Sequence, residues 1–104
     1  EEQTKKFGLR APMVGHVGDG NFHVLLPFDP KKKETYAKIR EFNDLLIKKA
    51  LKLNGTITGE HGVGLHKKEY LLEQHPDNIP IMKSIKRTLD PNSIMNPGKI
   101  FDLN

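Results

Sequence analysis

Four side chains stand out for the chemistry they could perform: His16, His23, Glu60 and His61. They fall in two clusters, each set among glycines. The first is Gly15-His16-Val17-Gly18-Asp19-Gly20-Asn21-Phe22-His23, and the second is Gly59-Glu60-His61-Gly62-Val63-Gly64. Imidazole nitrogens and a carboxylate oxygen suit zinc and other divalent ions. Two histidines with one carboxylate leave coordination positions open for water or substrate. His16, His23 and Glu60 are therefore candidate metal ligands, and His61 is left as a base beside them. Each cluster also has a plainer reading. Two histidines can be hydrogen-bonded on an exposed sheet face, and Gly-Asp-Gly-Asn is ordinary turn chemistry. A Glu-His pair can be a charged turn, although placing two acid–base groups between glycines is a costly way to build one. His66 and His75 read as surface residues of a helix and its end. The residues lead to a metal site with a histidine base, and leave the reaction open.

The elements that must position these groups can be read from periodicity and turn signals. Residues 12–27 predict a β-hairpin, with Asp19-Gly20 as a type I′ turn. In that register His16 faces His23, with Cβ atoms about 5 Å apart. Alternation then puts Met13, Val17, Phe22, Val24 and Leu26 on the opposite, apolar face, which should be core. A helix is expected over 30–53, with Asp29 as N-cap and Pro30 at its first position. Its apolar stripe is Ile39, Phe42, Leu46, Ala50 and Leu53, and Asn54-Gly55 should stop it. A short strand, Thr56–Thr58, should lead into the second glycine cluster. Helices are expected over 65–75, broken by His75-Pro76, and over 79–89, with Ile81, Met82, Ile85 and Leu89 buried. Asp90-Pro91 ends the last helix. The tail Met95–Phe101 should be irregular and should dock onto something. The chain is thus α+β: a hairpin, three helices and an irregular C-terminal tail. Two strands are too few for a stable sheet, so partners are expected from sequence outside this chain.

Composition narrows the function classes. A length of 104 residues suits one small domain and leaves no room for a nucleotide-binding domain as well. With 36% apolar and 29% charged residues the chain reads as globular rather than disordered. No apolar run approaches the roughly 18 residues of a membrane span, so the chain is not expected to cross a membrane. The N-terminus has no apolar segment of a signal peptide and no initiator Met, so the chain is expected to begin inside a longer protein. Cysteine is absent, which excludes disulfides and a thiolate zinc site. The net charge of +4 comes largely from lysines on a helix face, without interleaved aromatics for stacking bases. Nucleic acid is therefore not the expected partner. A positive surface could still steer a small carboxylate.

Three motifs in one order carry a further reading: Gly15–His23, Gly59–Gly64, and Leu89-Asp90-Pro91 through Met95-Asn96-Pro97-Gly98-Lys99. Together they resemble the C-terminal domain of FAD-linked oxidases of the vanillyl-alcohol oxidase superfamily, over about residues 11–101. The nearer relatives of this kind are D-lactate dehydrogenase, the glycolate oxidase flavoprotein subunit and D-2-hydroxyglutarate dehydrogenase. The resemblance implies that His16 and His23 bind a divalent metal, zinc or similar, with Glu60 as the carboxylate ligand. It implies that His61 contacts substrate and takes its hydroxyl proton, and that Asn96 lies near the flavin. The cofactor implied is FAD, held mostly by an N-terminal FAD-binding domain of the same protein. The substrate implied is a small D-2-hydroxy acid. Leu25 stands where hydroxyglutarate-type enzymes carry a substrate-binding Asn, which favours a small substrate such as lactate or glycolate, or a longer apolar 2-hydroxy acid. The glycine-rich pyrophosphate loop is not in this sequence, so the chain alone is expected to be inactive. A cytoplasmic site, including the inner face of the membrane, or a mitochondrial matrix fits this reading, as does a homo-oligomer. Two alternatives remain: a self-contained zinc metallohydrolase, which would need no flavin, and a non-catalytic module that binds a partner through its basic helix face.

Overall fold

A computed structural model describes residues 2–29 and 31–103. The chain divides into two compact units, Glu1–Gly55 and Thr56–Asn104. The described elements are helices and one two-stranded antiparallel hairpin, an α+β arrangement as expected.

The first unit opens with a helix that periodicity did not predict, α1, Glu2–Phe7. It packs on the long helix α2, Lys33–Lys52, through an edge-to-face contact of Phe7 with the buried Phe42, ring centroids 6.0 Å apart. Such a pair adds about 0.5–1.5 kcal/mol beyond its buried area. Ile47, outside the expected stripe, is also buried, whereas Leu53 is exposed because it caps the helix rather than continuing it. Two ion pairs with the acid on the N-terminal side, Glu34–Lys38 at 3.0 Å and Asp44–Lys48 at 2.9 Å, support the exposed face.

The ends of α2 divide the expectations. It begins at Lys33, later than position 30, and Lys32 rather than Asp29 is its N-cap. The Asp29 carboxylate accepts from the Lys31 N–H at 3.0 Å and its carbonyl from Lys32, so it organises the preceding turn instead. Pro30 lies outside the described residues. The stop at Asn54-Gly55 is as expected. Asn54 takes a left-handed φ of 60° and donates to Leu51, and Gly55 donates back to Ala50 at 2.8 Å. These two bonds are those of a Schellman ending.

The hairpin is present, but its register differs from the expected one. Strands β1, Met13–Val14, and β2, His23–Val24, pair Met13 with Val24 and Val14 with His23. His16 therefore does not face His23. A type I′ turn needs a positive φ at both Asp19 and Gly20. Only Gly20 has one, at 69°, while Val17–Asp19 form a 3-10 turn. The His16 carbonyl closes that turn, accepting from Asp19 at 2.9 Å and Asn21 at 3.2 Å. Gly15 makes this closure possible. A Cβ there would lie 2.5 Å from both Asn21 O and Phe22 Cα. The expected core face is also open: Met13, Val17 and Phe22 are exposed, and only Val24 and Leu26 are half-buried. Two short strands have too little area to cover themselves.

In the second unit, Thr56–Thr58 form no strand. Ile57 is buried, and its N–H donates to Gln74 Oε1 at 3.2 Å, a side-chain acceptor in place of a ladder partner. Helix α3 is Lys68–Gln74, shorter than the expected 65–75 because residues 64–66 are a turn. Helix α4 is Ile79–Leu89, as expected. Its buried residue is Ile79, with Met82 half-buried, while Ile81, Ile85 and Leu89 are exposed. The tail docks onto its own unit. Ile100 N–H donates to Gly64 O at 2.8 Å, Lys68 pairs with Asp102 at 2.8 Å, and Arg87 donates to Leu103 O at 2.5 Å.

Candidate active-site residues and their family

In the first unit the two candidate histidines have different settings. His23 is half-buried in β2, across the ladder from Val14. His16 is exposed and lies outside the ladder, at the entrance of the 3-10 turn. Its backbone is pinned by the two N–H groups its carbonyl accepts, which leaves its imidazole on a fixed turn rather than on a loose loop. Leu25 follows β2, half exposed, with its N–H bonded to Pro12 O at 2.9 Å.

In the second unit, Glu60 and His61 sit at the tip of the second glycine cluster. The Thr58 hydroxyl donates to Gly62 O at 3.1 Å and closes the loop around them. Gly62 takes a φ of 77°, so the chain can reverse there without a Cβ clash. His61 Nε2 and Glu60 Oε1 are 3.7 Å apart, and both side chains are open to solvent. An imidazole and a carboxylate that converge this closely on an accessible loop can share one cation, or act as a base and its orienting partner. At its far end the loop is tied to the tail through the Gly64–Ile100 bond. Ile100 takes a φ of 70°, an unusual conformation for a β-branched residue that costs of order 1–3 kcal/mol and needs such anchoring.

Asn96 is exposed in the tail with a left-handed φ of 47°. It lines a shallow groove of about 460 Å³ together with Met95, Lys99, Ile100 and Phe101. Two residues here were given no site role by sequence reasoning. The Asp90 carboxylate, read as a helix terminator and as part of the third motif, is buried and accepts from the backbone N–H groups of Ile94 and Met95, both at 3.0 Å. It also pairs with Lys86, one helical turn earlier. The available signal was local, an aspartate at a helix end with a lysine four residues before it.

The family described as FAD linked oxidases, C-terminal domain, has a model that matches residues 1–100. The chain belongs to this family. Among its relatives, a probable mitochondrial D-lactate dehydrogenase of Danio rerio is 45% identical over 96 residues, 91% of this chain and 19% of that protein. A mitochondrial D-lactate dehydrogenase (cytochrome) of Kluyveromyces lactis is 41% identical over 104 residues, 99% of this chain and 18% of that protein. A D-2-hydroxyglutarate dehydrogenase of Stutzerimonas stutzeri is 46% identical over 90 residues, 84% of this chain and 19% of that protein. The chain thus spans about a fifth of the length of the curated relatives it matches. Membership makes FAD the cofactor of the family to which these residues belong. No described helix is long and apolar enough to cross a membrane.

Proposed function

We propose that the chain is the C-terminal part of an FAD-dependent dehydrogenase or oxidase that converts a D-2-hydroxy acid of the lactate or glycolate type to its 2-oxo acid. The observation that carries this is the Glu60–His61 pair, 3.7 Å apart on an accessible glycine loop, in a member of the FAD-linked oxidase family. An N-terminal FAD-binding domain of the same protein would hold most of the flavin, and the chain alone would not turn over. The cytoplasm is one location for such a protein. The mitochondrial matrix is the other, in keeping with relatives described as mitochondrial.

The donor set fits a divalent ion. His16 and His23 offer imidazole nitrogens and Glu60 a carboxylate oxygen, borderline ligands that suit zinc. When bound, such an ion supplies Lewis acidity to a substrate hydroxyl and carboxylate. The flavin, when bound, supplies the acceptor for the hydride from C2 of the substrate. His61, beside Glu60 on the same loop, would accept the hydroxyl proton. Asn96 would be the residue of the C-terminal segment that lies near the flavin. Leu25 presents an apolar surface where a longer substrate would need a polar partner, so a short or apolar 2-hydroxy acid is favoured.

The test needs the protein with its upstream region. Under anaerobic conditions, D-lactate or glycolate should bleach the flavin, and His61→Ala should slow that bleaching by about 10²–10⁴-fold. Elemental analysis should find about one zinc or similar ion per chain, lost in His23→Ala. A protein that binds no flavin, or whose flavin neither acid reduces, would overturn the proposal. Metal and hydrolysis without flavin would favour a zinc hydrolase instead.

A further inference from the structure

The Lys86–Asp90 pair does more than end α4. Asp90 is only 3% exposed, and a buried carboxylate is tolerated when each oxygen has a donor. Here Oδ1 accepts from the Ile94 N–H at 3.0 Å, and Oδ2 from the Met95 N–H at 3.0 Å and from Lys86 Nζ. Lys86 Nζ also donates to the Met95 carbonyl at 2.6 Å. Both peptide groups of Met95 are therefore held, one by Asp90 and the other by Lys86. The second of these planes is shared with Asn96, because a peptide unit is rigid and planar. Fixing Met95 O thus fixes the direction in which the chain enters Asn96. Asn96 then turns left-handed at a φ of 47°, its carbonyl accepts from Lys99 at 3.3 Å, and Ile100 ties the segment to the glycine loop at Gly64. A helix could end at lower cost without a buried charge. What this network adds is one orientation for the peptide that precedes Asn96.

We propose that Asp90 and Lys86 are positioning residues: they act through the Met95–Asn96 peptide to hold the Asn96 side chain at its working place. The inference rests on the proposed flavoprotein function and on the role of Asn96 within it. Displacement of a working group by about 1 Å can cost on the order of 100-fold in rate. The experiment uses the flavoprotein with its upstream region, as wild type, Asp90→Asn, Asn96→Ala and the double variant. Lys86→Met is carried through the same cycle in case Asp90→Asn does not fold. Asp90→Asn should slow flavin reduction by D-lactate by about 10–100-fold and shift the visible flavin band as Asn96→Ala does. On the Asn96→Ala background it should cost nothing further, since residues that act through one another are not additive. Penalties that multiply in the double variant, with a wild-type flavin band in Asp90→Asn, would reduce the pair to a stability role and overturn the proposal. A separate arm reads the clamp without activity. In the 104-residue chain, Asp90→Asn and Lys86→Met should each move the amide resonance of Asn96 and speed exchange of the Met95 amide. An unmoved Asn96 amide overturns the clamp itself, whereas a moved amide, together with a protein that carries its upstream region and still binds no flavin, sustains the clamp and overturns the proposed function.

Discussion

Replacing Gly15 with alanine tests the hairpin register on which the setting of His23 depends. The new Cβ would lie 2.5 Å from Asn21 O and from Phe22 Cα, and 3.2 Å from Asn21 C. Comfortable separations between such atoms are about 3.5–4.0 Å, so the strands must part by roughly 1 Å. The opposing atoms are backbone, which cannot swing aside as a side chain can. The cost should sit in the upper part of the overpacking range, about 2–3 kcal/mol. A two-stranded ladder can also open locally, so the loss should appear first in the hairpin rather than in the melting of the whole chain. The assay is amide exchange with backbone nuclear Overhauser effects. In the wild type, residues 13 and 24 should show a cross-strand effect, and the Leu25 amide, bonded to Pro12 O, should be protected. In Gly15→Ala the Leu25 amide should exchange about 30- to 150-fold faster, up to the limit set by local opening. Gly18→Ala is the matched control. No atom lies within 4 Å of its added Cβ and its φ is not positive, so it should be neutral or slightly stabilising. Equal behaviour of the two variants would refute the register.

Three further outcomes follow from the same structure. Gln74→Leu removes the acceptor for the Ile57 N–H and should destabilise the second unit by about 1–3 kcal/mol, read by denaturant unfolding, because the donor is left partly buried without a partner. Asn54→Ala places an ordinary residue at a left-handed helix end and should cost about 1 kcal/mol, while Asn54→Gly should not, which a pair of thermal melts would separate. Hydrogen bonding from Lys86, helped by the Ile94 and Met95 N–H groups, holds the Asp90 carboxyl below its ordinary value of 3.8, against the upward push of burial. A depressed folded-state pKa gives stability that is complete above the ordinary value and fades as pH falls through the lowered one. Unfolding should therefore grow easier in acid, and Asp90→Asn should flatten that acid limb; an unchanged slope would remove Asp90 as its source.

Some of the fold was legible in the sequence because the signals are local. Helix α4 was bounded by His75-Pro76 before it and Asp90-Pro91 after it, and its boundaries agree with the expected ones. The end of α2 was marked by Asn54-Gly55, the pair of residues that a Schellman ending uses. Other features depend on choices that local signals leave open. The segment from Gly15 to Gly20 can close in more than one register, and the Asp-Gly signal favoured a turn that would need Asp19 at a positive φ. The strand expected at Thr56–Thr58 gave way to Gln74, whose side chain satisfies the Ile57 N–H from seventeen residues away. The helix α4 stripe of Ile81, Ile85 and Leu89 has the spacing of a core face and is nonetheless exposed. Periodicity marks a face as apolar without saying what will cover it.

The candidate site follows the same division. Residue types were enough to single out His16, His23, Glu60 and His61, because imidazole and carboxylate groups are the ones that can bind divalent ions and move protons. The position of Glu60 beside His61 also followed from sequence, since adjacent residues on a tightly closed loop have little freedom to diverge. The facing of His16 and His23 did not follow, because it depended on the register. Asp90 was missed for a different reason. Its proline neighbour gave a sufficient explanation of the helix end, and the lysine four residues before it does not by itself distinguish a solvated terminator from a buried acceptor of two backbone N–H groups. The distinction lies in burial, and burial turns an ordinary helix ending into a device that fixes the peptide before Asn96.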